Sequence, residues 1–577
     1  MLNLIFGSGD MKNKLVRIIL LVIAICLMNN RFFAQPSGIP LLKAQMALFT
    51  DRNLYLTGED IRFSVFPVSN YICDDNKASR IIYVEIITPD GNKIVGGKYL
   101  LENGKSQGCI TIPENTLTGD YYIRAYTKYM RNLGPSIYPS VGMKLINPAK
   151  NNVLTGNGYS GDESVDSLVP GNVIQDIMAI IGDKNLYATR ENVNLHIQTK
   201  RLTVFESTGW CLTVVPDGTL DELKGAAFTG TLSGNLIKDS AGFQFYPDTR
   251  GISISGKLVD KETGKSISDG VVTLSIIGDK DFSAYKTGQG GQFYFSLPDY
   301  CGRRDIFLSS SGISDTTTGL LIDNDFCTNP VMMPSTVFML TEKERQAGLT
   351  IAVNEQIKRN YQNNIKTVGD SVSGIFKSFY GEPSETLILD KYVQLPTLEE
   401  YFNELPMVVK IRERKGRKYF KFLSVNSDIM LYDPLILVDW VVVSEIDKIL
   451  AVSPQKISRI EIVNRPYVKG NLTYGGILSI ISRQGDFAGI NLPASGVFIN
   501  YAFLSDECRD IRYGPVSESV PDCRNTLFWE PDLIMNSGDS QLISFFTSDT
   551  PGNYLIVLRG VGINGEIYQQ TVRFKVE

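Results

Sequence analysis

The chain has 577 residues, is 43% hydrophobic, and carries 57 Lys plus Arg against 62 Asp plus Glu, with a single histidine. A balance this close to neutral offers no cationic excess, so nucleic acid is not an expected partner. One histidine leaves almost no room for His-based nucleophilic catalysis or a His-rich zinc site. The length predicts about four domains. Helical patterns are few, while short alternating apolar runs and Gly, Tyr and Phe are plentiful, which predicts a mainly β protein.

In chain order, the first element is a targeting segment. From Met11, the residues Lys12, Lys14 and Arg17 form a basic head, and Ile18 to Met28 is an apolar run of signal-peptide length, too short for a stable membrane span. Residues 1–34 read as the signal and Gln35 as the first mature residue. A lipid-anchored start at Cys26 is the alternative, disfavoured by the bulky Ile25 before it.

Residues 35–150 read as an antiparallel β-sandwich. Ile61, Phe63 and Val65 alternate after a Thr57-Gly58 turn, Ile81 to Ile87 follow, then a Pro89-Asp90-Gly91 turn, then GDYYIRAYTKYM from Gly119. The segment DRNLYLTGE at Asp51 recurs as DKNLYATRE at Asp183, identical at six of nine positions, so the sandwich is predicted to be duplicated. Residues 151–171, rich in Gly, Ser and Asp, read as the linker, and 172–248 as the second sandwich.

Further along, GISISGKLVDKETGKSISDGVVTLSI and GQGGQFYFSLP predict a third sandwich over 249–330. Residues 331–371 read as a helical connector. Thr341-x-x-Glu344 is a capping box, opening a helix to about Tyr361 with Leu349, Val353 and Ile357 as its packing face. Thr397-x-x-Glu400 opens a second, short helix, followed by a basic hairpin turning at Gly416. From Asp433 the pattern is strand, helix, strand, Tyr474-Gly475-Gly476 and a third strand, Ile477 to Ile481, within an α+β unit spanning 372–488. Residues 489–577 read as another sandwich, because PGNYLIVLRG echoes TGDYYIRAYT and Asn564-Gly565 marks a hairpin.

Several of these stretches resemble known families. The repeated LYLTGEDIRF, with IRAYTKYMRNLG, is similar to the macroglobulin domains of alpha-2-macroglobulin-like proteins. The third unit resembles carboxypeptidase regulatory-like domains of transthyretin type. PLILVD, SPQKISRIEIV and YGGILSI resemble the plug domain of TonB-dependent outer-membrane receptors. Together they resemble an exported multidomain family of Gram-negative bacteria combining these three units. A receptor barrel needs about 22 strands of roughly 10 residues, and the stretch after Gly485 is far too short for one. The resemblance therefore implies a plug-like unit without a barrel of its own in this sequence.

Candidate chemistry is sparse. No Gly-x-Ser-x-Gly elbow, phosphate loop or Cys-x-x-Cys pair occurs. The Cys-Gly-Glu-Gln thioester of protease-trapping macroglobulins is missing too, and no cofactor is expected. Asp323-Asn324-Asp325 reads as a solvated turn, lacking a full calcium-loop spacing. Seven cysteines follow the signal. Cys508 and Cys523 flank a Gly/Pro-containing loop and are the favoured disulfide. Cys73 with Cys109 and Cys301 with Cys327 are further candidates, and spacing leaves the connectivity open.

The hairpin cations Lys410, Arg412, Arg414, Lys415, Arg417 and Lys418 read either as a solvated face or as a contact for anionic lipid or an acidic partner. Asp439 is followed by Trp440 where plug domains usually place a glycine. Trp440 is then either a repacked core residue or an exposed anchor. Trp440, Arg465, Tyr467 and Tyr474 are the candidate partner-binding residues. These readings lead to a non-enzymatic envelope protein, periplasmic or outer-membrane-associated, whose plug-like unit docks on another envelope protein. An outer-membrane β-barrel or transporter would be such a partner, and no small-molecule substrate is expected. The alternative is a macroglobulin-like, protease-interacting or inhibitor-like protein without a thioester.

Overall fold

A computed structural model describes residues 46–68, 78–154, 173–174, 178–199, 207–221, 226–228, 244–311, 317–335, 337–362, 378–406, 408–423, 427–505, 508, 520–535, 540–562 and 566–577. The signal segment, most of the 151–171 linker, Cys73 and Asn564-Gly565 lie outside them.

The fold is mainly β, built from β-sandwiches with one α+β unit, as the alternating runs predict. In the first sandwich, one sheet contains Met46–Thr50, Asp60–Pro67 and Ser106–Thr111. The other runs in the order Leu54–Leu56, Ser140–Ile146, Gly119–Tyr126, Ile81–Ile87, Lys93–Leu100.

The second sandwich repeats this plan with the chain cut in two. Its small sheet holds Met178–Gly182, Asn192–Thr199 and Ser540–Phe546. Its large sheet runs Leu186–Tyr187, Ile567–Val576, Gly552–Gly562, Ser207–Pro216, Phe528–Leu533. The Ser207–Pro216 strand pairs along its length with Gly552–Gly562. One core joins Trp210, Leu212 and Val214 to Phe528, Phe545, Tyr554 and Phe574. The expectation of two separate sandwiches at 172–248 and 489–577 is thereby corrected, since neither half has a second sheet to bury its apolar face without the other. The cut falls at a matching turn. Pro89-Asp90-Gly91 joins Ile81–Ile87 to Lys93–Leu100, whereas after Pro216-Asp217-Gly218 the chain leaves and returns only at Phe528.

The repeated nonapeptide does the same work in both copies. Tyr55 Oη donates to Asp51 (2.8 Å) and accepts from the Arg52 amide (2.9 Å). Tyr187 Oη donates to Asp183 (2.5 Å) and accepts from the Lys184 amide (3.0 Å). Glu59 accepts the Leu56 amide and Glu191 the Ala188 amide, each at 2.7 Å, tying off the same turn. Leu54 opposes Lys144 in parallel register, as Leu186 opposes Lys575. The surroundings differ. In the first copy Phe49 and Phe66 pack under Cys211, Trp529 and Val561 of the second sandwich, and Asp51 is fully buried. In the second copy the matching positions are Ile181 and Gln198, and that face is exposed.

The third sandwich has sheets Gln292–Ser296, Ser253–Asp260, Thr318–Ile322 and Asp281–Lys286, Val271–Ile276, Arg303–Ser311, Val497–Ala502. Its last strand arrives only after the α+β unit, which is thus a second insertion inside the first. The helix Glu342–Gln362 begins at the expected capping box: Thr341 N donates to Glu344 (2.7 Å) and Glu344 N to Thr341 Oγ1 (3.2 Å). Its packing face is not the expected one. Ala347 and Ile351 pack on Leu54 and Leu56, while Leu349 and Val353 are more than half exposed. Small residues decide the outcome, because Ala347 and Gly348 let the helix approach Leu54 and Ile146 closely.

Candidate interaction surface

The α+β unit is a mixed five-stranded sheet in the order Glu385–Ile388, Ile457–Val463, Ile477–Ser482, Leu435–Val438, Val441–Val442. Only Leu435–Val438 and Ile477–Ser482 pair in parallel. The helices Leu398–Glu404 and Ile446–Leu450 and the hairpin Val409–Arg414/Arg417–Phe422 cover one face, burying Phe402, Phe420, Ile449 and Ile460 in a common core. At the Gly475-Gly476 turn a side chain has no room. A Cβ on Gly475 would collide with the Ile429 and Tyr432 carbonyls, and Gly476 lies at φ +103° against the Phe422 ring.

The other face of the sheet meets the third sandwich. Leu435, Leu437, Val463 and Ile477 form one cluster with Phe282 and Ala284, and Tyr467 and Tyr474 pack against it. Tyr467 Oη donates to the Phe379 carbonyl (2.9 Å), and Arg465 reaches the Tyr380 carbonyl (3.4 Å). Lys469 pairs with Asp281 (3.3 Å), and Asn471 bonds the Lys286 backbone.

Trp440 lies in the same seam. Val438 opposes Val441, so Asp439-Trp440 is a two-residue hairpin loop. Both residues have positive φ, +46° and +66°, the type I′ geometry that favours Asp or Asn followed by Gly. Asp439 is fixed by bonds from Ser482 N, Ser482 Oγ and Phe487 N at 2.6–2.9 Å. The Trp440 carbonyl accepts from Ser275 Oγ of the third sandwich (2.8 Å), and Lys280 Nζ lies 5.9 Å from the ring centroid. Its indole N–H is buried without a partner. Trp440, Tyr467 and Tyr474 thus sit in an internal seam, where one apolar sheet face is covered by a neighbouring sandwich of the same chain, while Arg465 beside them is exposed.

The hairpin on the opposite side is exposed. Strand alternation puts Val409, Ile411, Phe420 and Phe422 inward. Lys410, Arg412 and Arg414 on one strand and Arg417, Tyr419 and Lys421 on the other point outward, in the pairs Lys410–Lys421, Arg412–Tyr419 and Arg414–Arg417. Lys418 faces the other way and pairs with Glu399 (2.7 Å). Among the described residues, Tyr392, Val393, Leu395, Glu400, Glu404 and Leu405 line an open cleft of about 650 Å³.

The cysteines fall elsewhere than the spacing implies. Cys508 and Cys523 are both free thiols. Cys508 instead hydrogen-bonds Cys109, the largest cause of a Cys109 pKa below the ordinary thiol value, while the same bond and then burial push Cys508 well up. The backbone brings them together: Ser505 N donates to the Lys98 carbonyl (2.8 Å), and Lys98 Nζ to the Ala502 carbonyl (2.6 Å). Cys301 is exposed, Cys327 is buried near the Tyr138 hydroxyl, and the Cys301–Cys327 disulfide is not formed. Cys211 is buried in the strand Ser207–Pro216. His196 is an exposed strand residue between Ile181 and Leu542.

No family model matches the sequence, and no curated protein matches it. Among solved structures, Salmonella alpha-2-macroglobulin reacted with methylamine aligns at 10% identity and TM-score 0.22, over 92% of this chain and 39% of that one. The native conformation of Escherichia coli alpha-2-macroglobulin aligns at 9% identity and TM-score 0.22, over 94% and 40%. The Escherichia coli adhesin FdeC aligns at 10% identity and TM-score 0.14, over 50% and 64%. The chain thus spans about two fifths of the length of these macroglobulins.

Proposed function

We propose that this chain is a non-enzymatic, exported scaffold of the cell envelope. In this reading the macroglobulin-like sandwiches form the body, the third, carboxypeptidase regulatory-like sandwich forms a mount, and the plug-like α+β unit is the docking head. The observation that carries it is the mounting. The unit is inserted between Thr318–Ile322 and Val497–Ala502 of the third sandwich, and its apolar sheet face is sealed on Phe282 and Ala284. Its helices and basic hairpin face away from that seam. The stretch from Val497 to Glu577 completes the third and second sandwiches and builds no barrel around the unit in its described residues.

The test compares the full chain with a variant in which 384–490 is replaced by a short linker, both purified from solubilised envelope. The reading expects one envelope protein to co-purify stoichiometrically with the full chain and to be lost with the variant, while the sandwich melting transition persists. Equal recovery with a folded variant would reject it.

A further inference from the structure

We propose that the outward face of the Val409–Arg414/Arg417–Phe422 hairpin is a docking surface for an anionic phospholipid bilayer. The inference rests on the reading of the α+β unit as a docking head and names the surface it meets.

The argument starts from register. Cross-strand neighbours lie about 5 Å apart, and like charges directly opposite are destabilising. This face places Lys410 opposite Lys421 and Arg414 opposite Arg417, with Arg412 beside Tyr419 and Lys415 at the turn. None of the outward residues of the two strands is a carboxylate: Glu413 points to the other side, opposite Lys418. Lys410 donates to the Asn403 carbonyl, a neutral partner. A face with no need to bind an anion would relieve the repulsion with a single Glu. The rest of the unit does so readily, with Lys418–Glu399, Lys448–Glu445 and Arg483–Asp390 pairs.

Apolar groups favour lipid over an acidic protein. Leu423 continues the outward row and is 41% exposed, and Tyr419 is 39% exposed. Just beyond, Met430, Leu431 and Tyr432 are 61%, 73% and 44% exposed. These two stretches are neighbours in space, because Phe422 packs on Gly476 while the Ile429 and Tyr432 carbonyls close on Gly475. Cations that reach headgroup phosphates beside Leu, Met and Tyr that enter the interface are the pattern of a peripheral membrane contact.

The experiment is vesicle co-sedimentation of the full chain, with phosphatidylglycerol in phosphatidylcholine against phosphatidylcholine alone. Binding is expected only to the anionic vesicles and should weaken with added salt. Each cation near such a surface contributes about fivefold in partitioning, so Arg412→Ala should lose about that factor and Arg412→Ala/Arg414→Ala/Arg417→Ala on the order of a hundredfold. Leu431→Ser should also weaken binding. Arg417→Glu separates function from structure, because it places an opposite charge beside Arg414. It should hold or raise the melting temperature while lowering vesicle binding. No binding to anionic vesicles, binding unchanged in the triple variant, or retention on polyglutamate but not on vesicles would each overturn the proposal. Vesicles contain no protein, so vesicle binding that survives failed envelope co-purification would reject the protein-docking reading alone.

Discussion

At Trp440 one residue holds two conformational debts together, a left-handed backbone and a buried indole N–H without a partner. For a residue with a side chain the left-handed region costs about 1–2 kcal/mol, and glycine escapes most of this. Ordinarily glycine is the more damaging replacement because of its entropy. Here the order should invert: Trp440→Gly is expected to leave the α+β unit about 1 kcal/mol more stable than Trp440→Ala does. Paired thermal melts decide it, and an alanine variant as stable as the glycine variant would count against the strained-turn account. The departure from glycine was legible in the sequence. What Trp440 packs against was not, because the third sandwich approaches from far away in the chain. The cysteines teach the same lesson. Fourteen residues separate Cys508 from Cys523, yet the return of the chain along Lys98 brings Cys508 to Cys109. Air or glutathione-disulfide oxidation of the purified chain, with the electron pair passing to the oxidant, is expected to link the Cys109 and Cys508 peptides. Peptide mapping without reductant that recovers a Cys508–Cys523 link instead would contradict the placement.

Among elements, the repeated nonapeptide shows how one local device is reused in two environments. Its pattern of Asp, Tyr and Glu was readable because each side chain bonds the backbone or its neighbours within a few residues. Whether the surrounding face is buried depends on positions such as Phe66 against Gln198, outside the motif. Tyr55→Phe strips a donor from the fully buried Asp51 and is expected to cost about 1–3 kcal/mol. Tyr187→Phe removes the same bond beside an exposed Asp183 and should cost clearly less; melting of the two variants, compared side by side, checks the difference. The capping box predicts the helix Glu342–Gln362, but the helix packs on a different face from the expected one. Exposed Leu349 and Val353 outweighed Ala347 and Gly348 in any count of hydrophobicity, whereas close approach selects the small residues. A third device joins the first and third sandwiches. Asp248 is buried, accepting from Tyr83 (2.9 Å) and from Ser253, and burial raises its pKa above the ordinary carboxylate value. The folded chain therefore holds this proton more tightly than the unfolded chain, so its contribution is complete below about pH 3.9 and is lost as pH rises through the raised value. Stability of Asp248→Asn relative to wild type is expected to increase over that rise, measured as the difference between two pH series.

For the whole molecule, the chain is nested: the α+β unit interrupts the third sandwich, and both interrupt the second. Alternation and turns mark strands such as Ile81–Ile87, Gly119–Tyr126 and Ile477–Ser482, but pairing partners separated by the Asp217–Leu527 insertion leave no local trace. One signal is the echo of TGDYYIRAYT in PGNYLIVLRG. It marks the same strand of the same fold, read here as a separate sandwich. The matching Pro-Asp-Gly turns at 89–91 and 216–218 would have located the cut. Nesting makes a prediction that serial domains do not. Ending the chain at Thr526 removes Phe528–Leu533, Ser540–Phe546, Gly552–Gly562 and Ile567–Val576, and with them most of the second core. It also uncovers Phe49 and Phe66 of the first sandwich, which lose Trp529, Val561 and Ile567. If 489–577 were an independent domain, the truncated chain would keep a protected 173–216 and an unchanged first transition. With the nested fold, limited proteolysis should cut within 178–199 or 207–216 in the truncated chain but not in the full one. The first sandwich should also melt lower, since an aromatic pair stripped of its apolar cover forfeits about 25 cal/mol for each Å² returned to water. Protease resistance of both 178–199 and 207–216 in the truncated chain would show that the second sandwich does not depend on its distant half.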